Sequence, residues 1–147
     1  MILMDGGAAT ESAPELSEIG TRTTAMSFEL FWEPRGVVLR FAGVVLPSDP
    51  REATVAYEGD VRFGDLRFVI ADYSAIAGCA ARPSDMEMVG ATNFGASKSN
   101  PRIRKAVVTT SPEVIAMAEH YRKVLRSPVP TQVFATMADA RAWLSRA

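Results

Sequence analysis

Hydrophobic and polar positions fall into a regular pattern from Phe28 onward. Phe28-Glu29-Leu30-Phe31-Trp32 and Val37-Val38-Leu39-Arg40-Phe41 are runs rich in aromatic and β-branched residues, the composition that packs best on a pleated surface. The link between them, Glu33-Pro34-Arg35-Gly36, holds a proline and a glycine, so the spacing predicts a β-hairpin. After Gly43, Asp49-Pro50-Arg51-Glu52 opens a helix. Asp49 is its expected N-cap, Pro50 its first residue and Glu52 the partner in a capping box. That helix should run to about Glu58 and stop at Gly59.

Leu66-Arg67-Phe68-Val69-Ile70-Ala71-Asp72 is mostly apolar without alternation, the pattern of a strand covered on both faces. A small-residue loop is expected from Ser74 to Arg82. Ser84 and Glu87 then form an S-x-x-E capping box, and the helix it starts turns Met86, Val89, Gly90 and Asn93 inward and ends near Lys98. Ile103 to Thr109 gives another buried strand. Ser111-Pro112 caps a third helix whose stripe is Val114, Met117, Ala118, Tyr121 and Leu125. A short strand follows at Thr131 to Ala135, and Thr136 with Asp139 starts a last helix that buries Ala140, Trp143 and Leu144. The order β-β-α-β-α-β-α-β-α predicts an α/β fold. Its mixed, mainly parallel sheet has about five strands, with the first antiparallel at an edge.

Composition narrows the picture. The chain of 147 residues is 48% hydrophobic and 22% charged, enough for one domain with a core that needs no metal or disulfide. Residues 5–25 are rich in Gly, Ala, Ser, Thr and Glu and hold no aromatic. The expected organisation is therefore an N-terminal tail over 1–25 and a single domain over 26–147. Met26 is a candidate start, and a short helix at Glu15 to Ile19 is the alternative for the tail. The net charge of −1, from 16 basic and 17 acidic residues, argues against a nucleic-acid groove. The densest basic run, Lys98 to Lys105, has four cations and no aromatic and is read as a solvated stretch leading into a strand. Cys79 and His120 are the single cysteine and the single histidine. No structural zinc site follows from them, and no metal or cofactor is expected. Cys79, among small residues, reads as an apolar filler in a reducing compartment. No apolar run is long enough to span a bilayer, and Met1-Ile2-Leu3-Met4-Asp5 lacks a basic leader region. The expected location is cytoplasmic, with no membrane insertion.

Gly36-Val37-Val38-Leu39-Arg40-Phe41-Ala42-Gly43, Arg62 to Asp72, Ala96-Ser97-Lys98-Ser99-Asn100-Pro101 and the closing Ala138-Asp139-Ala140-Arg141-Ala142-Trp143-Leu144 together resemble the STAS group, named for sulphate transporters and anti-sigma-factor antagonists. The resemblance covers Phe28 to the C-terminus. It is strongest to a branch of small bacterial STAS-like (SpoIIAA-like or SEC14-like) proteins of unassigned function. It implies a regulatory role by protein contact. In the antagonists it also implies a D-S-S-G-like turn after the central strand, with a serine that a kinase phosphorylates. Here Asp72-Tyr73-Ser74 is followed by a longer loop, and Ser84 takes the physically comparable place at a helix N-terminus.

The carboxyl ends of parallel strands are the usual ligand sites of α/β sheets. They supply Asp72, Tyr73 and Ser74, then Thr109, Thr110 and Ser111, and finally Thr136. No acidic pair follows the first strand and no lysine follows the last, so a phosphoryl-receiver site is excluded. Asp72 is expected to be a loop hydrogen-bonder. His120 lacks an evident partner, no serine sits in a G-x-S-x-G elbow and no glycine-rich phosphate loop follows a strand. The expectation is a non-catalytic interaction module. Its surface would be Ser84, Asp85, Met88, Ala91 and Phe94, used for a protein partner or a homodimer. The rival is a carrier of a lipid or nucleotide in a cleft near Tyr73, Met86 and Tyr121, with Asp72, Ser74, Thr110 and Ser111 at its rim. The SEC14-like label implies that second reading. An enzyme working through Asp72 and Ser111 is the least favoured.

Overall fold

The computed structural model describes residues 27–146; the expected tail, its alternative helix and the Met26 start lie outside them. The hairpin forms as the spacing predicts: β1 (Phe28–Glu33) and β2 (Gly36–Val45) are antiparallel. They join through Pro34-Arg35, and Arg35 takes a φ of 63°, the left-handed conformation that glycine or asparagine adopts most readily. Then follow α1 (Asp49–Glu58), β3 (Phe68–Cys79), α2 (Met86–Ala96), β4 (Arg104–Val108), α3 (Pro112–Glu119), β5 (Thr131–Phe134) and α4 (Met137–Leu144).

The strands lie in the order β1-β2-β3-β4-β5, all parallel after the first pair. Right-handed crossovers that always step in one direction must put their helices on one side of the sheet. Accordingly α1, α2 and α3 share a core with Val37, Leu39, Phe41, Val69, Ala71, Tyr73 and Val107. The alternate residues Val38, Ile70, Ala106 and Val108 face the other side, where α4 covers them with Ala140 and Trp143.

Three local expectations are corrected. The loop placed at Ser74 to Arg82 is in large part strand, because β2 runs on to Val45 and gives β3 a partner as far as Cys79. Two bulges absorb the small residues. The register passes from Arg40↔Asp72 to Ala42↔Ala75, and again from Gly43↔Ile76 to Val44↔Gly78, with Gly43 at a φ of 69°. Asp49 does not cap α1. Its carboxylate turns back to accept from the Leu46 N–H at 2.7 Å and from the Ser27 hydroxyl, and Ser48 is the N-cap. The third helix ends in a π-helical turn at His120–Val124, where the Leu125 N–H donates to the His120 carbonyl at 3.1 Å. The wide turn buries Tyr121 and carries Leu125 against Gly90 of α2. Two of the expected caps form: Ser111 accepts from Val114 N–H at 3.3 Å and Thr136 from Asp139 N–H at 3.1 Å.

Gly36 opens β2 beneath the ring of Phe68, where a Cβ would lie 2.0 Å from the ring. Gly36→Ala is therefore expected to destabilise the protein by about 1–3 kcal/mol, the usual cost of forcing a packed ring aside. Denaturant unfolding of the two proteins measures it, and an unchanged midpoint would contradict the packing described.

Candidate interaction surface and the buried cluster beneath it

Helix α2 has two unlike faces. Met86, Val89 and Asn93 are buried, while Met88, Ala91 and Phe94 follow at three-residue spacing on the outside. Met88 is 58% and Phe94 59% exposed, and the Lys98 ammonium lies 4.9 Å from the Phe94 ring centre. Gly90 sits on the inner side, where a Cβ would be 3.1 Å from Leu125 Cδ1. The expected Ser84–Glu87 capping box does not form. Pro83–Asp85 make a 3₁₀ turn ahead of α2, and the Asp85 carboxylate accepts from the Arg82 N–H at 2.7 Å. Proline at the first position tightens this segment, so the box closes between Arg82 and Asp85, two residues earlier than the S-x-x-E spacing implies. Ser84 is left exposed, with Asp85 and Glu87 adding negative charge around it.

The inner face of α2 rests on a polar cluster that the sequence reading missed. Lys105, assigned above to a solvated run, is 5% exposed near the start of β4. Its ammonium donates to Asn93 Oδ1 at 3.3 Å and lies 4.7 Å from the centre of the Tyr121 ring. The Tyr121 hydroxyl donates to the same Oδ1. The Asn93 Nδ2 group donates to the Glu58 carboxylate and to the Tyr57 hydroxyl at 3.4 Å. One amide thus joins α1, α2, β4 and the π-turn. Burial pushes the Lys105 pKa down, but the phenols of Tyr121 and Tyr57 and the Glu58 carboxylate outweigh it, and the net shift is upward. Burial raises Glu58, with the Asn93 bond and the Lys105 charge opposing it.

Beside this cluster lies a small cavity. Tyr73, Met86 and Tyr121 do line one space, together with Lys105, Phe41 and Met117. It holds about 30 Å³, room for about one or two waters. The other residues expected to form a ligand site do not converge on it. Asp72 is buried within β3 rather than at a strand end. Its Oδ1 accepts from both the N–H and the hydroxyl of Ser74, at 3.0 and 2.7 Å, and so closes the first bulge. Arg40 approaches its other oxygen at 3.7 Å. Tyr73 points to the opposite face and stacks on Phe41 at 4.3 Å. Ser111 is engaged as the cap of α3, Thr110 is exposed beyond β4, and no hydrogen bond among the described residues links them to Asp72 or Ser74.

His120 stands where the π-turn meets α2, its buried Nε2 without a hydrogen bond and 3.9 Å from the Glu87 carboxylate. Cys79 Sγ contacts the Ala81 carbonyl and Met117 Sδ at 3.5 and 3.6 Å. Burial pushes its thiol pKa up, which suits packing rather than reactivity. No helix among the described residues is long and apolar enough to cross a membrane.

No family model matches the chain, and no curated protein matches it. Solved structures do. Against the Bacillus cell-fate determinant SpoIIAA in its phosphorylated form, the TM-score is 0.52 at 13% identity, over 80% of this chain and 98% of that one. The anti-sigma factor antagonist SpoIIAA in its unphosphorylated form aligns with a TM-score of 0.49 at 17% identity, over 80% and 97%. An uncharacterised Shewanella loihica protein with a SpoIIAA-like fold aligns at 0.47 and 12%, over 86% and 99%. The chain has a SpoIIAA-like fold.

Removing the Asn93 amide strands a buried ammonium, a phenol and a carboxylate at once. Asn93→Ala is expected to cost about 3 kcal/mol in denaturant unfolding; a change below about 1 kcal/mol would contradict the cluster. Lys105 holds its proton more tightly folded than unfolded. Its contribution is therefore complete below the ordinary value of 10.5 and disappears as pH rises through the higher folded value. Stability measured across that range should fall less steeply in Lys105→Met than in the parent.

Proposed function

We propose that this chain is a non-catalytic regulatory module that works by binding a partner protein through the outer face of α2. The observation that carries the reading is the stripe of Met88, Ala91 and Phe94. Its two large side chains are more than half exposed, on a helix whose opposite face is held by Asn93. Methionine and phenylalanine exposed together supply an adaptable apolar contact, and Asp85 at the head of the helix adds a polar rim. The fold likeness supports the same reading, since SpoIIAA is described as an anti-sigma factor antagonist, a role exercised on another protein. A cavity of about 30 Å³ favours it over a lipid or nucleotide carrier, whose pocket would need roughly 300 Å³ or more.

The test is photo-crosslinking in the host, with a benzophenone amino acid in place of Phe94. The same residue at Val61, which is 98% exposed in the turn before β3, serves as the control. Position 94 should give a discrete adduct with another protein, absent from position 61 and lost on adding Met88→Glu. The reading fails if both positions give the same adducts, or if position 94 captures only a second copy of the chain.

A further inference from the structure

Three arginines from three separate segments meet at the end of the sheet where the parallel strands begin. Arg35 lies in the β1–β2 turn, Arg67 immediately precedes β3, and Arg102 precedes β4. The backbone brings these segments together: the Arg67 N–H donates to the Arg35 carbonyl at 2.7 Å and the Arg104 N–H to the Arg67 carbonyl at 3.1 Å. Buried Asn100 braces them further. Its Nδ2 donates to the carbonyls of Phe63 and Leu66 at 2.8 and 2.9 Å, and its Oδ1 accepts from the Arg102 N–H at 3.2 Å.

The charges there are not balanced. Glu33 is held by Arg141 at 2.6 Å and Asp60 by Arg62 at 2.8 Å, the latter bond lowering the Asp60 pKa to about 2. Asp65 is the carboxylate that acts on Arg67, and among the described residues no ion pair engages Arg35 or Arg102. Desolvation and then repulsion from Arg102 and Arg35 push the Arg67 guanidinium down. Arg35 also carries its charge on a φ of 63°, a position glycine would fill without strain. Two further guanidiniums flank the group, Arg62 on the Trp32 ring at 3.9 Å and Arg104 on the Trp143 ring at 4.0 Å.

We propose that this arginine-lined end of the sheet is a second interaction surface, which binds an acidic peptide segment of a partner protein. The arginines stand on an open edge with Arg35 and Arg102 exposed, rather than around a closed pocket shaped for one oxyanion. From β2 to β4 the edge spans roughly 10 Å, a length over which an extended peptide places carboxylates about 7 Å apart on alternate residues. The interspersed carboxylates of Glu33, Asp60 and Asp65 suit a short acidic segment better than a continuous phosphate track. The surface is separate from α2 and stands or falls without it.

The probe is fluorescein-labelled hexaglutamate, followed by anisotropy with the full chain at low and at physiological salt. The double variant Arg67→Glu/Arg102→Glu should weaken binding about tenfold, as expected from losing two exposed charge pairs. Arg51→Glu, in the first turn of α1 at the opposite end of the strands, should leave it unchanged. Thermal melts confirm that each variant is folded. The proposal is overturned if the parent does not bind, if Arg51→Glu weakens binding as much as the double variant, or if oligothymidylate of equal charge binds more tightly than hexaglutamate.

Discussion

A lysine ammonium buried between β4 and α2 is the constraint around which the helical side of the molecule is arranged. An isolated charge there would be too costly to keep. Lys105 is held because Asn93 Oδ1 accepts from it and from Tyr121 while Nδ2 donates to Glu58 and Tyr57. Every bond in that set crosses from one element to another. A rotation of α2 about its axis would break all of them, whereas an apolar contact would only slide. The direction in which Met88 and Phe94 face is therefore set by a polar interaction on the far side of the same helix.

The second constraint is topological. Strands added in one direction with crossovers of one hand must collect their helices on one face, so α4 alone is left for the other. It covers Ile70, Ala106 and Val108, and on the hairpin side Phe31 and Arg40 remain exposed, with the Arg40 guanidinium 4.7 Å from the Phe31 ring centre. The Arg40–Asp72 contact and the Ser74 bulge lie on this same side, so Asp72 acts on the shape of the sheet.

Much of the fold was legible because local signals agreed with tertiary demand. Ser111 and Thr136 cap helices as their spacing implies, and the hairpin follows from Pro34 and Gly36. Asp49 and Ser84 carried the same signals and failed. In one case a nearer loop N–H captured the carboxylate, and in the other Asp85 bonded first. The extension of β3 could not be read from Ser74 to Gly78, whose small residues have little strand preference, since its cause is the length of β2. Lys105 was misread for a different reason. Counting cations from Lys98 to Lys105 hid the alternation Ile103, Lys105, Val107, which puts the lysine on the buried face. The apolar stripe of α2 was visible from helical period alone. The arginine edge was not, because its members are distant in sequence and only the strand register makes them neighbours.

The agreement between strand order and chain order bears on how the molecule is made. Each strand pairs with the one completed just before it, and each crossover helix can settle on a sheet that already exists. Nothing in the order β1 to β5 requires an early strand to wait, edge exposed, for a distant partner still being synthesised. Loop closures are short and successive, which lowers the entropic barrier to pairing and limits aggregation of unfinished chains. The sheet can grow on the ribosome in the order in which its residues emerge.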